Sequence, residues 1–451
     1  MKILIVSLAS QYIHSALSPW YLYYSAKANC SKDITVKVLE GTVNENIDAI
    51  FGRIEKEKPN IVAFSCYIWN IEYVKILAEK LNKKGIKILL GGPEVSYNTK
   101  EILTENNCVD YILSGEGEEP FVLFLNEVYK KGDLTKVPGL SFRKGEKLHL
   151  GEPFKTSAIP VNPYGEEYLK ALNGRIAYIE TSRGCPFSCA FCLSGRLSSV
   201  RFFPIDRAKQ DILILANSES KIIKFVDRTF NANPKRAREI FKFIIENYGK
   251  AIPNGVCFHF EIAGDLLGDE DFKLLKKSPK GAIQFEIGIQ SFNAKTLISV
   301  GRKTNVERLK NNIGNLCAME NIHIHIDLIA GLPFEDLTSF RESFIRAFSL
   351  NADMFQLGFL KLLHGAQMRE QKEKYPCDFS KKPPYEVNFT PWISKENLIS
   401  LHFTENALDR FVGSGRFPRT NKLIFEIQKR NPFDTLTELG MFTGCESCSL
   451  N

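Results

Sequence analysis

No apolar run in these 451 residues approaches the roughly 20 needed to cross a bilayer, which removes a spanning helix from consideration. The opening Met1-Lys2-Ile3-Leu4-Ile5-Val6 lacks the charged, apolar and small-residue layout of a secretory signal and reads as a strand. The expected location is therefore the cytoplasm, with no membrane partner. The 11 cysteines form no evenly spaced framework, which argues against a secreted disulfide scaffold and for a reducing compartment. A strong charge of one sign is missing too. A net +7 admits an anionic substrate but does not by itself indicate nucleic acid. The remaining composition, 44% hydrophobic and 25% charged, is that of a globular protein with room for about two or three domains.

The most informative run is Gly184-Cys185-Pro186-Phe187-Ser188-Cys189-Ala190-Phe191-Cys192. Its thiols fall at i, i+4 and i+7, and glycine, proline and serine keep the backbone irregular. Three thiolates suit a soft metal, and three rather than four would leave one iron of a cubane open to another ligand. A disulfide or a zinc ribbon is the weaker reading, since zinc wants a fourth ligand from a second nearby pair. Near the other end, Cys445 and Cys448 are too few for a second metal centre and read as unligated or redox-active thiols.

Residues 1–145 alternate short apolar strands (2–7, 35–39, 61–65, 86–90, 111–114) with amphipathic helical stretches (19–28, 46–57, 72–82, 100–105, 120–131). This rhythm predicts a doubly wound parallel sheet covered by helices on both faces. Ligands of such sheets bind beyond the carboxyl ends of the strands. Those ends carry Ser65, Gly91, Gly92, Glu94, Gly115, Glu116 and Gly117. Paired glycines let a backbone approach a ligand closely, although glycine also ends strands for structural reasons alone. Residues 146–175 mix charge with Pro153, Pro160, Pro163 and Gly165 and read as a linker.

From 176 to 376, strand candidates at 176–180, 222–227, 256–261, 283–289, 322–328 and 354–360 are separated by helical segments, as a partial β/α barrel requires. Alternate residues of a strand face opposite ways. In the fifth candidate, isoleucines at 322, 324 and 326 oppose His323, His325 and Asp327. In the fourth, Ile283, Phe285, Ile287 and Ile289 oppose Gln284, Glu286, Gly288 and Gln290. In the third, Val256, Phe258 and Phe260 oppose Cys257, His259 and Glu261. The aliphatic sets should meet covering helices, and the polar sets should converge on a chamber. So many polar residues are not easily buried without water or ligand. His259, His323, His325 and Asp327 are the expected catalytic groups, for substrate contact, cofactor contact or proton transfer. After Cys377 the pattern changes to a small, mostly helical region over 377–451, with helices expected at 397–411 and 420–429.

Cys185, Cys189 and Cys192, with the flanking Thr181-Ser182-Arg183-Gly184, resemble the CxxxCxxC loop of radical S-adenosylmethionine (SAM) enzymes. Residues 285–291 with Gly301-Arg302, and Asp327 through Glu335, resemble later motifs of the branch related to methylthiotransferases. The strand ends at 89–95 and 115–120 resemble a cobalamin (B12)-binding domain. The resemblance implies a [4Fe-4S] cluster on the three cysteines. It implies SAM near Asp227, Glu286, Gln290, Arg302 and Gly331, and cobalamin near the N-terminal strand ends. Two departures stand out. Tyr12-Ile13-His14-Ser15-Ala16-Leu17 keeps the histidine of a DxHxxG motif without its aspartate or glycine, and Phe334 replaces a common glycine.

The implied activity is methylation of an unactivated carbon of a small-molecule or peptide substrate. A reduced flavodoxin or ferredoxin would be the electron donor under anaerobic conditions. The alternatives are a cobalamin-dependent rearrangement, cyclisation or ring contraction, RNA methylthiolation, or a non-enzymatic sensor. Scattered N-terminal cysteines and no evident basic β-rich module disfavour an RNA substrate.

Overall fold

The computed structural model describes residues 1–196 and 199–447. Its contacts divide the chain into two compact units, Met1–Ile179 with Ile214–Lys221, and Glu180–Leu213 with Ile222–Asn451.

The first unit alternates β1 (Lys2–Ala9), α1 (Ser18–Asn29), β2 (Thr35–Thr42), α2 (Ile47–Lys56), β3 (Ile61–Ser65), α3 (Ile71–Asn82), β4 (Lys87–Gly91), α4 (Thr99–Glu105), β5 (Tyr111–Leu113) and α5 (Glu118–Lys130). The sheet runs in the order β2-β1-β3-β4-β5-β6-β7, and its first five strands pair in parallel. Strand β1 is apolar at nearly every position because helices cover both faces. Leu4, Val6 and Leu8 enter one core with Val62 and Phe64, while Ile3 and Ile5 enter the other with Ala63 and Leu89.

Two features depart from the expected layout. Strands β6 (Leu140–Lys144) and β7 (Lys147–His149) extend the parallel sheet as antiparallel neighbours. The segment expected as a linker also carries α6 (Glu166–Leu172), which packs into this unit. Glu167 accepts from Tyr23, Tyr24 and Lys27 at 3.1, 2.6 and 2.5 Å, and Tyr168 is fully buried. A seven-residue helix among prolines is too short to print a periodicity. Strand β8 (Ala177–Ile179) ends the main segment of this unit.

The second unit opens with the hairpin β9 (Ser182–Gly184) and β10 (Val200–Phe202), which brackets the cysteine run, followed by α7 (Ile205–Ala216). Parallel strands β11 (Ile222–Phe225), β12 (Cys257–Glu261), β13 (Ile283–Gln290), β14 (His323–Ala330) and β15 (Met354–Phe359) lie side by side in chain order. Helices α8 (Pro234–Asn247), α9 (Asp269–Leu275), α10 (Ala294–Ser299), α11 (Val306–Cys317) and α12 (Leu337–Phe348) connect them. The apolar faces are the buried ones: Phe225 and Phe260 stack at 4.3 Å, and Phe241 of α8 closes on Phe285 at 5.5 Å.

The C-terminal portion adds α13 (Gln367–Glu370), the hairpin β16 (Asp378–Phe379) and β17 (Val387–Phe389), then α14 (Lys395–Ala407), α15 (Pro418–Asn421) and α16 (Pro432–Ser447). Wider helical turns over Leu408–Gly413 and Lys422–Ile427 continue α14 and α15. Helix α16 left no clear sequence signal, because two glycines and three threonines lower its propensity. Gly440 has a packing reason, since a Cβ there would fall 1.9 Å from the Phe403 carbonyl oxygen of α14. The thiols of Cys445 and Cys448 lie outside the described residues.

Candidate functional site

The cysteine loop is tied at its base by one buried carboxylate. Asp227, just beyond β11, is 2% exposed and accepts from the Thr181 amide (2.9 Å), the Thr181 hydroxyl (2.7 Å) and the Ser182 hydroxyl (2.6 Å). Burial pushes its carboxyl up to about 6 against those three bonds. Gly184 has a φ of +102°, and a Cβ there would lie 2.0 Å from the Ser199 carbonyl oxygen, so the turn into Cys185 requires glycine. The Ala190 amide donates to Val300 (2.8 Å) and the Met368 amide donates to Ala190 (3.0 Å), which anchors the far side of the loop. Cys185 and Cys189 are buried, Cys192 is half-buried, and none is in a disulfide. Thr229 Oγ1 lies 3.4 Å from Cys185 Sγ. Burial raises the Cys189 thiol, and the Arg302 guanidinium opposes that shift.

Register across the second sheet lines up the polar residues in rows. Lys224, His259, Gln284 and His323 occupy one row; Glu261, Glu286 and His325 the next; Gly288 and Asp327 a third. Glu286 accepts from His259 Nε2 at 2.8 Å and from Lys224 Nζ at 2.9 Å. Burial alone would raise this carboxyl, but the His259 and Lys224 contacts hold it at about 2. Burial lowers His259, and the Glu286 contact opposes that shift. Glu261 is pushed up to about 7 by burial, with Arg228 at 3.9 Å opposing.

His325 Nε2 lies 3.0 Å from Asp327 Oδ1, but off the hydrogen-bond axis, so both buried atoms lack a hydrogen-bond partner. Burial pulls the His325 imidazole down, and the neighbouring Asp327 more than reverses this, leaving it raised. His323 stands apart from this group. It sits exposed at the amino end of β14, 4.0 Å from Asp353.

A second convergence lies beside Cys189. Gln290 ends β13 at a bulge with φ +71°, and its side chain folds back over Gly288, where a Cβ would fall 2.1 Å from Gln290 Nε2. Arg302 donates to the Gly288 carbonyl. Gln290 Oε1 and Arg302 Nε are nevertheless buried without partners. Nearby, Glu335 (1% exposed) accepts from Ser291 (2.6 Å) and Ser343 (3.0 Å). Phe334 takes the left-handed conformation (φ +62°) that glycine usually supplies. Its ring is held by Trp392 at 4.4 Å and by Lys295 Nζ at 4.5 Å, contacts that offset the backbone strain. Gly331 (φ +88°) faces Val387, whose Cγ1 would be 2.6 Å from a Cβ.

In the first unit the strand-end glycines meet the chain itself. A Cβ on Gly92 would fall 2.5 Å from the Cys66 carbonyl oxygen, and one on Gly115 would fall 2.2 Å from that of Phe154. The Glu116 amide donates to the same Phe154 oxygen at 2.9 Å. Glu94 is 5% exposed, and Gly117 starts α5. Gly91 is less constrained, its nearest neighbour being 3.5 Å away. Beyond the same strand ends stand exposed Tyr12 and Ile13, the stacked pair Tyr67–Trp69 (4.5 Å, 4°) and Tyr97. Ser18 links Ser65 (3.0 Å) to Tyr67 (3.2 Å) by hydroxyl contacts. His14 Nδ1 lies 2.8 Å from the Tyr178 hydroxyl.

Residues 12–125 match the B12 binding domain and residues 179–346 the Radical SAM superfamily. The chain is a radical SAM protein with a B12 binding domain. Residues 373–448 of this radical SAM protein match a domain described as a protein of unknown function (DUF4080). The cobalamin-dependent radical SAM methyltransferase TokK of Streptomyces tokunonensis is 28% identical over 308 residues, 63% of this chain and 44% of TokK. The 2-(S-pantetheinyl)-carbapenam-3-carboxylate methyltransferase of Streptantibioticus cattleyicolor is 27% identical over 303 residues, again 63% and 44%. The chain thus spans under half the length of these curated relatives. The structure of OxsB, a cobalamin-dependent S-adenosylmethionine radical enzyme with aqua-cobalamin and S-adenosylmethionine bound, shares the fold. Its TM-score is 0.70 at 15% identity over 98% of this chain and 72% of OxsB.

The residues present fit the three groups that this family implies. Three free thiols on one tied loop are a soft donor set. No trio of His, Cys, Asp or Glu among the described residues is grouped for a single metal ion, whereas a cubane spreads its thiolates over separate irons. The orphaned Gln290 and Arg302 atoms match a polar ligand beside the cluster loop. Flat aromatics and hydroxyls at the strand ends of the B12 binding domain match a broad, amide-rimmed ring. Sequence reasoning missed Lys224 and Arg228. Lys224 alternates with Ile223 and Phe225, so the parity argument applied to β11 would have found it. Thr229 and Ser343 leave no comparable signal. No helix among the described residues is long and apolar enough to cross a membrane.

Proposed function

We propose that this chain is a cobalamin-dependent radical SAM enzyme that methylates an unactivated carbon of a small-molecule or peptide substrate. The reading is carried by the orphaned Gln290 Oε1 and Arg302 Nε beside Cys189. When bound, the cluster, SAM and cobalamin supply the reducing electron, the hydrogen-abstracting group and the methyl carrier. Cys185, Cys189 and Cys192 would hold the cluster, with Thr229 Oγ1 3.4 Å from Cys185 Sγ. Gln290 and Arg302 would take the polar groups of SAM, since a guanidinium edge suits a carboxylate. Asp227 acts by positioning, because its oxygens already hold Thr181 and Ser182.

The loops with Ser65, Gly91, Gly92, Glu94 and Gly115 through Gly117 would hold cobalamin. Of the expected catalytic set, His259 is paired with Glu286, so it and Lys224 would act by positioning that carboxylate. His325 and Asp327 face each other at 3.0 Å and would meet the substrate as a pair. A reduced flavodoxin or ferredoxin would deliver the electron.

The test is anaerobic reconstitution with iron, sulfide and cobalamin, followed by SAM, a strong reductant and candidate substrates. Methylation predicts substrate-dependent S-adenosylhomocysteine together with 5′-deoxyadenosine. Deoxyadenosine without S-adenosylhomocysteine would replace this reading with a rearrangement or cyclisation. A complete cluster that never cleaves SAM would overturn it.

A further inference from the structure

The C-terminal region holds a surface that the proposed chemistry does not use. Between residues 408 and 430 there are six basic residues (Arg410, Arg416, Arg419, Lys422, Lys429, Arg430) and two acidic ones (Asp409, Glu426), a net +4 out of +7 for the chain. Arg430 pairs with Glu438 at 3.3 Å, but Arg416, Arg419, Lys422 and Lys429 enter no ion pair among the described residues. Apolar side chains stand out among these cations: Phe417 is 39% exposed, Leu423 47% and Ile427 65%.

The local fold explains the arrangement. Phe425 turns inward, with its ring 5.0 Å from Phe348 of α12, and half-buried Ile424 accompanies it. Arg419, Leu423 and Ile427, spaced four apart along α15 and its wider continuation, then run along the outward side. Phe417 is steadied by Phe411 at 5.5 Å, and Lys422 adjoins Leu423 on the exposed side.

We propose that this segment seats the protein on the headgroup surface of an anionic lipid bilayer. Exposed apolar residues flanked by unpaired Arg and Lys suit the headgroup boundary, where the former enter the acyl edge and the latter meet phosphate. Lysine is depleted in protein–protein interfaces, and here Lys422 and Lys429 flank the apolar strip, so charge complementarity favours lipid over an acidic protein. The absence of a spanning-length apolar run, from which no membrane partner was expected, excludes only a crossing segment. An interfacial contact needs none.

The test is anaerobic flotation of the cofactor-loaded full chain with phosphatidylcholine vesicles, with and without an equal part of phosphatidylglycerol. Co-flotation only with the anionic vesicles, weakening as salt rises, is the expected result. Arg419→Gln and Lys422→Gln should each weaken binding by about fivefold. Leu423→Glu with Ile427→Glu should abolish it while leaving iron and cobalamin content unchanged. Equal flotation with and without phosphatidylglycerol, or retained binding by the double variant, would overturn the proposal. So would capture by immobilised polyglutamate without binding to vesicles, which would assign the surface to an acidic protein.

Discussion

Two buried carboxylates of the radical SAM domain show how one residue type does two jobs. Asp227 has its acceptors filled by Thr181 and Ser182, and removing it strands those donors in the interior. Asp227→Ala should cost on the order of 3 kcal/mol and lower the iron retained after reconstitution, read by chemical denaturation and iron assay. Glu335 fills only one oxygen, through Ser291 and Ser343, and burial pushes its carboxyl up to about 7. The unfolded chain releases that proton near ~4.3, so the folded state holds it more tightly. The contribution of Glu335 to stability is therefore greatest below ~4.3 and declines as pH rises toward about 7. Thermal denaturation of the apoprotein from pH 5 to 8 should show a shallower decline for Glu335→Gln than for the wild type. Parallel curves would remove the buried carboxyl as the cause.

At the scale of strands and turns, the glycines after β4 and β5 separate packing from ligand contact. Gly115 has φ +91° and the Phe154 carbonyl in the place of a Cβ, so Gly115→Ala should unfold the B12 binding domain locally and lower its melting temperature. Gly91 has no such neighbour, and Gly91→Ala should leave stability within about 0.5 kcal/mol. Measured cobalamin uptake by the Gly91→Ala protein then reports on ligand approach alone. In the second sheet, Glu286 ties β11 to β12 and β13 through Lys224 and His259. Glu286→Ala leaves the partly buried Lys224 without its carboxylate and should cost about 2 kcal/mol or more. A loss below 0.5 kcal/mol in urea unfolding would show that the contact contributes nothing net.

Across the whole molecule, the contacts divide the chain into two compact units, and the residues proposed for cobalamin fall in one and those proposed for the cluster in the other. Loading should therefore be separable. The variant with Cys185, Cys189 and Cys192 all changed to Ala should lose iron completely and still take up about one cobalamin per chain, by absorbance after gel filtration. Loss of both cofactors together would mean that the B12 binding domain depends on the cluster loop for its own fold.

Much of this was legible in the residue order because it depends on short-range geometry. Period-two alternation separated Phe285 and Ile287 from Glu286 and Gly288, and the spacing of Cys185, Cys189 and Cys192 marked the loop, without knowledge of any partner. The same alternation turned His325 and Asp327 to one face but could not say that His323 would end exposed beside Asp353. Long-range register decided that, as it decided that Lys224 meets Glu286 and that Gly115 meets Phe154. The orphaned atoms of Gln290 and Arg302 lie beyond any local pattern. A missing partner is a property of everything packed around a group, and only the tertiary structure brings those surroundings together.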